Sequence, residues 1–401
     1  MTERTKRAVL LSVLAVSLII RLGAMARIGN PQHVPRTLAE SDAPTYYRLA
    51  ENLAAGVGYR YSPGEPPTAR RTPGYPFFLA SVFKLRGVDF TAVRAVQCLL
   101  DMISTFFVFA ICMFLFGNYA AAILAALAYA LYPPAVMDAT YILSETLYTF
   151  LLLAFVVACL QAMKARRYAL FAASGIFFGL ATLTRPGALP LPFVLIIIAL
   201  IWKRSLFMGF VILAVAFSLT MLPWGLRNKR DMGRFIATST LVGGNLYKGN
   251  HIPTQGAYFM STDSLLTDDI KASIAGASEA RRDSILQSEA IKMIRSNVTG
   301  TARLALKKIP RLWFNLGYGR KPSSRSIAIA GLHAVFLLLG IYGLVRAPAG
   351  SRFLSIVPVT TILLSTVLYM GVAAEVRFVF PLIPLLLPYS SYGFVCAIRK
   401  A

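Results

Sequence analysis

The sequence predicts an all-α polytopic membrane protein, a bundle of about ten transmembrane helices. Two observations carry that reading. Of the 401 residues, 57% are hydrophobic and only 14% are charged, where ordinary globular domains carry about 25% charged residues. Several stretches of about 18 or more apolar residues then follow one another along the chain, each the length an α-helix needs to cross a bilayer. A β-barrel would show short alternating segments instead.

The spans read in order as roughly 8–26, 97–116, 119–136, 145–163, 168–184, 187–202, 205–224, 327–345, 353–373 and 379–397. The first follows Arg4, Lys6 and Arg7. It is too long for a cleaved signal peptide, and its exit, Arg21-Leu22-Gly23-Ala24, is a poor small-residue cleavage site, so it reads as an anchor. The short basic segments all fall on one side: the N-terminal cluster, Lys164-Ala165-Arg166-Arg167, Lys203-Arg204, the stretch with Arg346 and Arg352, and Arg399-Lys400. The positive-inside rule then places both termini in the cytoplasm. The expected organisation is a first helix in 1–26, an outward loop in 27–96 with juxtamembrane helices, helices two to seven in 97–224, a second outward loop in 225–326, and helices eight to ten in 327–401. Long loops translocate largely regardless of charge, so the basic residues in both do not oppose this orientation. Within the second loop, Thr262 to Ser296 is polar and helix-like, with Asp268, Asp269, Glu279, Asp283 and Glu289, and reads as a small solvated subdomain.

The net charge is +24. In this setting it fits contact with anionic lipid head groups or phosphate-bearing substrates; no nucleic-acid motif is present, and no nucleic-acid partner is expected. Cys98, Cys112, Cys159 and Cys396 all fall in hydrophobic spans without metal spacing and read as packing residues. With only His33, His251 and His333, neither a multi-histidine metal site nor a histidine-based triad is expected.

The chain has 17 acidic residues, few enough to weigh one by one. Asp101 falls inside a span, where it faces a cavity or pairs with a basic group, because lipid exposure is costly. Near the outer membrane face stand Glu40, Asp42, Glu51, Asp89, Asp138, Glu145 and Glu375. Three of these share a pattern. Asp42 follows the first span, on an amphipathic stretch running to Leu53 along the membrane surface; Glu145 sits at the turn between the third and fourth spans, and Glu375 at the turn between the ninth and tenth. Each also has a plainer reading: Asp42, after Ser41, as a helix cap before Pro44; Glu145 as a helix-start acid with Ser144 as cap; Glu375 as a surface partner of Arg377.

Basic residues mark the same face. Arg70-Arg71-Thr72-Pro73-Gly74-Tyr75-Pro76 ends the first surface segment, Arg185-Pro186 the fifth span, and Pro223-Trp224-Gly225-Leu226-Arg227-Asn228 the seventh, while Arg377 begins the tenth. Singly, each reads equally as a snorkelling residue. Together they suit a phosphate at membrane depth, because the guanidinium is permanently charged and its donors are forked. If the donor is a sugar on a polyprenyl phosphate, the leaving phosphate needs charge stabilisation and the acceptor hydroxyl needs a base. One carboxylate and an arginine cluster supply both, and no metal or other cofactor is strictly required.

These motifs resemble the GT-C superfamily of membrane glycosyltransferases, in the branch of the protein O-mannosyltransferases and the lipid A aminoarabinose transferase. The resemblance rests on Ser41-Asp42 with Tyr46-Tyr47 and Leu49-Ala50-x-Asn52-Leu53; Gly56-x-Gly58-Tyr59; Arg71-x-Pro73-Gly74-Tyr75-Pro76; Ser144-Glu145; Gly179-Leu180-Ala181-Thr182-Leu183-Thr184-Arg185-Pro186; Pro223-Trp224-x-x-Arg227-Asn228; Gly243-Gly244-Asn245-Leu246-x-x-Gly249-Asn250; and Glu375-x-Arg377-Phe378-x-x-Pro381-x-x-Pro384. It implies a GT-C-like bundle and an inverting transfer from a polyprenyl-phosphate sugar on the extracytoplasmic face, here of a bacterial inner membrane. It implies Asp42 as the catalytic carboxylate and base, and Glu145 as a second acid that positions acceptor or donor sugar. Arg71, Arg185, Arg227 and Arg377 are the implied phosphate ligands, with Tyr46, Tyr47, Tyr75 and Asn228 as further substrate-binding candidates. Larger relatives carry a soluble domain after the last span. This chain runs only to Ala401, so acceptor recognition is expected to use the two outer loops or a partner, which favours a glycolipid or saccharide acceptor over a protein. The competing classes are a flippase for a lipid-linked saccharide, which should show an internal repeat that is not evident here, and a polymerase or ligase of lipid-linked saccharides, which shares the donor.

Overall fold

Thr2 caps the first helix, α1 (Glu3–Ala26), its hydroxyl accepting from the Thr5 N–H. The computed structural model describes residues 1–28, 42–256, 261–315, 323–372 and 374–399; Glu40, Ser41 and His33 lie outside them. After α1 come two short helices, α2 (Ala43–Ala54) and α3 (Gly74–Arg86). α2 is amphipathic, burying Tyr46, Leu49 and Ala50 on one face while Arg48 and Glu51 stay exposed. α4 (Phe90–Phe116) starts on Asp89, which accepts from the Thr91 and Ala92 N–H groups, and ends on left-handed Gly117. It therefore begins seven residues before the predicted span, because its first turns bury the polar Arg94 and Gln97 beside Phe90 and Val93, and hydropathy alone does not register them.

α5 (Tyr119–Ala130) and the short α6 (Pro133–Asp138) lead to α7 (Glu145–Ala165), which is buried along most of its length and forms the spine of the bundle. α8 (Tyr168–Thr184), α9 (Leu191–Trp202) and α10 (Phe207–Met232) follow. α8 meets α10 through Gly175 and Gly179: a Cβ on Gly175 would lie 2.2 Å from the Leu213 carbonyl oxygen, and one on Gly179 2.7 Å from Thr220 Cβ. Small residues four apart let two membrane helices approach this closely. The last part of the bundle is α15 (Ser324–Val345), the short α16 (Ala349–Leu354), α17 (Ile356–Met370) and α18 (Ile383–Ile398).

Among the described residues, six helices are long and apolar enough to cross a membrane and four shorter apolar ones accompany them, at the positions expected from hydropathy. The chain is an integral multi-pass membrane protein. Asp101 finds a partner inside it: with Arg21 it forms an ion pair, each side chain almost fully buried. Tyr129 donates its hydroxyl to the same carboxylate at 2.5 Å, and Arg21 also donates to the Ser17 and Ala130 carbonyls at 3.0 and 2.9 Å. The guanidinium that looked like a poor cleavage signal is thus the buried counter-ion that fastens α1 to α4 and α5.

Between α10 and α15 lie α11 (Val242–Asn250), α12 (Asp268–Ile274), α13 (Glu279–Ser296) and α14 (Val298–Phe314). Tyr247, Leu265, Leu266, Ile274, Leu286 and Ala290 give this region a small core of its own. The expectation that its acids are simply solvated needs correcting for two of them. Glu279 accepts from the Thr68 hydroxyl at 2.6 Å, the Ala69 N–H at 2.9 Å and the Thr240 hydroxyl at 2.5 Å. Asp283 accepts from the Gly243 N–H at 2.7 Å. They clamp the second loop to the first and to its own α11, using backbone donors that would otherwise be left unpaired.

Candidate active site

The site lies at the end of the bundle where α7 begins and α8 ends. Asp42 occupies the N-cap position of α2, at φ −107° and ψ −51°, but its side chain makes no capping hydrogen bond. Instead Oδ1 lies 2.6 Å from Arg71 Nη2, and Oδ2 lies 2.8 Å from Arg377 Nη2. Burial on its own raises the carboxyl pKa. Arg71 and Arg377, with Arg185 beyond them, outweigh that and hold it at about 2. Asp42 is therefore an anion at any physiological pH.

Arg71 is placed by the segment that docks the first loop onto α8. The Thr72 hydroxyl donates to the Thr184 carbonyl at 2.8 Å, and a Cβ on Gly74 would sit 2.4 Å from Thr184 Oγ1, so only glycine fits there. Arg71 Nε donates to Thr45 Oγ1 at 3.1 Å, and its guanidinium lies 5.3 Å from the Tyr46 ring centroid. Tyr46 in turn packs edge-on against Tyr75 at 5.1 Å. The same docking sets Arg185. Pro186 disfavours helix for the residue before it, and Arg185 is extended at φ −157°, ψ 118°, which turns its side chain from the end of α8 toward α7. Its Nη1 lies 2.6 Å from Glu145 Oε1.

Glu145 is the first residue of α7, and Ser144 makes no side-chain cap bond. Only 2% of the Glu145 side chain is exposed, so its charge is held by arginine rather than by water. Arg377 lies on a 3-10 turn, Val376–Phe378, ahead of α18. Besides Asp42 it reaches Glu145 at 3.8 Å and Glu375 at 2.5 Å. The Glu375–Arg377 pair exists, then, but as one edge of a larger network. The loop that carries it is tied from the second outer segment: Asn250 Nδ2 donates to the Gly371 carbonyl at 2.8 Å, and Lys308 Nζ donates to the Met370 and Val372 carbonyls at 2.9 Å each. Burial, with Arg311 nearby, pushes the Lys308 pKa down to about 8.

The structure thus brings together Asp42, Glu145, Arg71, Arg185 and Arg377, with Tyr46 and Tyr75 behind them. Three expected residues stand apart. Tyr47 donates to Glu51 at 2.7 Å and packs on Phe83 and Phe90. Arg227 is spent on the Thr68 and Tyr59 carbonyls at 2.7 and 3.2 Å and on Asp231 at 2.9 Å, with Tyr59 and Trp224 against its guanidinium. Asn228 donates to the Ile236 carbonyl at 2.7 Å. Both residues of that pair hold the first loop and the chain after α10 in place.

Two further groups stand at the site: Lys248, not singled out from sequence, and Asp138, counted there among the outer-face acids but not among the three that share a pattern. Lys248, on α11, is half-buried and close enough to feel Glu375, Asp42 and Arg377; burial lowers its pKa. The signal was present, since it lies inside the Gly243–Asn250 stretch. Asp138, at the end of α6, has its pKa raised well above the carboxylate range by burial and then by Glu145. Among the described residues, no group of three or more His, Cys, Asp or Glu side chains is placed to hold a metal ion.

With this geometry in hand, likeness to known proteins is informative. Residues 70–225 match the family model described as dolichyl-phosphate-mannose-protein mannosyltransferase. No curated protein matches the chain by sequence. The archaeal oligosaccharyltransferase AglB from Archaeoglobus fulgidus, in complex with an inhibitory peptide and a dolichol-phosphate, superposes over 98% of this chain and 50% of its own, with a TM-score of 0.57 at 17% identity. An Archaeoglobus fulgidus oligosaccharyltransferase tethered to an acceptor peptide superposes over the same shares with a TM-score of 0.55 at 16% identity. The chain has the GT-C fold. ArnT from Cupriavidus metallidurans bound to undecaprenyl phosphate covers 97% of this chain and 79% of its own, with a TM-score of 0.44 at 16% identity. The chain spans about half the length of the oligosaccharyltransferase chains it superposes on.

Proposed function

We propose that this protein is an inverting glycosyltransferase. It moves a sugar from a polyprenyl-phosphate donor to a hydroxyl of a lipid, glycan or protein acceptor at the extracytoplasmic face of the membrane. One observation carries the reading: two carboxylates and three arginines from separate parts of the chain converge at one end of the bundle, with Asp42 held between Arg71 and Arg377. The family match over 70–225 and the bound dolichol-phosphate of the archaeal enzyme support the donor class.

The chemistry follows from the charges. The acceptor oxygen bonds to the anomeric carbon from the face opposite the phosphate. The bond from that carbon to the phosphate oxygen breaks, and its electron pair leaves on the phosphate. The acceptor proton passes to Asp42. The arginines stabilise the charge that grows on the phosphate, a role for which fixed donors in a site of low dielectric are well suited. A carboxyl held at about 2 is a poor base as it stands. A donor phosphate that draws Arg71 and Arg377 toward itself weakens their hold on Asp42 and makes it more basic as the acceptor arrives. Glu145, fixed by Arg185, orients a sugar hydroxyl. Because arginine meets the phosphate charge, we expect transfer to continue in excess EDTA.

The test is glycosyl transfer by purified protein from a panel of polyprenyl-phosphate sugars, wild type beside Asp42→Asn. Loss of a general base lowers turnover about 10²- to 10⁴-fold, and the variant should keep its fold and donor binding. Equal turnover by both would remove Asp42 from the chemistry.

A further inference from the structure

Arg71 has two sides. One meets Asp42. The other lines an open cleft of about 670 Å³ whose walls also carry Thr45, Arg48, Tyr61, Glu65 and Arg70. The cleft therefore begins beside the candidate base, and its lining includes neither Glu145 nor Arg185. Its composition is uneven. Arg48 and Arg70 are exposed and, among the described residues, make no ion pair, so their guanidinium forks are available to an incoming anion. Tyr61 stands in the cleft wall with its hydroxyl buried and, among the described residues, without a hydrogen-bond partner. Thr45 is already engaged, donating to the Asp42 carbonyl at 2.6 Å and accepting from Arg71.

We propose that this cleft is the acceptor subsite and that it takes a saccharide bearing a phosphate near the accepting hydroxyl. Its use in catalysis rests on the glycosyltransferase reading above; its binding chemistry does not. Two free guanidiniums present forked donors that match phosphate oxygens. A surface built for bare anions or for nucleic acid would not place Glu65 in the same wall, because that carboxylate repels phosphate and offers an acceptor to sugar hydroxyls. Tyr61 adds an amphipathic ring and a polar tip of the kind that sugar rings pack on. Basic, acidic and aromatic groups around one cleft therefore fit a phosphorylated sugar better than a simple polyanion. Thr45 and Arg71 line the cleft and both contact Asp42, so a hydroxyl of a sugar seated there approaches the base past them, while the lipid phosphate lies toward Arg377 and Arg185.

The purified protein, in a neutral detergent, is titrated with glucose 6-phosphate by calorimetry, with glucose and glycerol 3-phosphate as comparators; the last stands for a phospholipid head group. Glucose 6-phosphate should bind saturably and about tenfold tighter than either comparator. Arg48→Gln and Arg70→Gln should each weaken it about tenfold, the loss of one charge-assisted hydrogen bond. Tyr61→Phe, which removes only the hydroxyl, should weaken it a few-fold, and guards against any loss of fold in the arginine variants. Undecaprenyl phosphate should bind all three variants within about twofold of wild type. Glucose 6-phosphate binding that is absent up to about 10 mM, unchanged in the arginine variants, or matched by glucose or glycerol 3-phosphate would overturn the proposal. None of these readouts requires turnover, so an inactive donor panel would count against the catalytic reading and leave this result standing by itself.

Discussion

Arg377 reaches Asp42 at 2.8 Å, Glu145 at 3.8 Å and Glu375 at 2.5 Å, so one guanidinium spans three carboxylates from distant parts of the chain. Lysine could not span them in this way, because its three donors sit on one nitrogen, whereas Arg377 uses Nη2, Nη1 and Nε for the three carboxylates. Arg377→Lys should therefore lower kcat/KM for the lipid-phosphate donor about 10- to 100-fold, the size of one or two lost charge-assisted hydrogen bonds; an unchanged value would show that Arg377 does not meet donor phosphate. The same contact sets a pH dependence. Asp42 has its folded pKa lowered from 3.8 to about 2. A depressed carboxylate contributes stability above its unfolded pKa and loses it as pH falls through the folded one. The window for Asp42 thus runs from about pH 4 down to about 2, and the contribution at neutral pH is about 2 kcal/mol. In free wild-type enzyme the acid limb of kcat/KM should stay below about pH 4, and in Arg377→Gln it should move upward. A wild-type limb that does not move in the variant would mean that this pair does not govern the titrating group.

At the scale of elements, the buried Arg21–Asp101 pair, with Tyr129, fastens α1 to the rest of the bundle. Removing one partner leaves an uncompensated charge in the bilayer interior, a loss of about 3–5 kcal/mol, whereas replacing both with apolar residues of similar size is often close to neutral. Arg21→Met alone should therefore lower the thermal midpoint of the purified protein sharply, and Arg21→Met with Asp101→Leu should restore most of it. If the double variant is as unstable as the single, the pair carries something besides a balanced charge. Elements also show where sequence reading ends. Hydropathy placed the ten apolar helices because each span is a local property of a run of residues. The amphipathic α2 and the set Asp42, Arg71, Glu145, Arg185 and Arg377 were legible because charged residues at turns of one face stand out in an apolar chain. Arg227 and Asn228 looked the same from sequence, yet they bind carbonyls at Tyr59, Thr68 and Ile236. Neither spacing nor residue type distinguishes an arginine aimed at a cavity from one that closes a loop. Glu279, read as solvated, shows the converse: its partners at Thr68 and Ala69 lie more than two hundred residues away, and local polarity says nothing of them.

At the scale of the whole molecule, the two ends of the bundle differ in charge pattern. Asp42, Glu145, Arg185 and Arg377 share one end. α7 runs away from Glu145 for 21 residues, about 30 Å, before Lys164 and Arg166. The short basic loops are therefore at the opposite end from the site. If positive segments face the cytoplasm, the cluster and its cleft face outward, and donor and acceptor must both be delivered to that side. A cysteine in place of exposed Glu65, on the cleft wall, reports this directly. Of the native cysteines, Cys98, Cys112 and Cys159 are buried and Cys396 is half-buried on α18, so the background is low. In intact cells Glu65→Cys should react with a membrane-impermeant maleimide, and Arg166→Cys should react only after the membrane is opened. The reverse pattern would turn the whole bundle over, place the acceptor in the cytoplasm, and remove the need for a donor sugar carried across the membrane on a lipid.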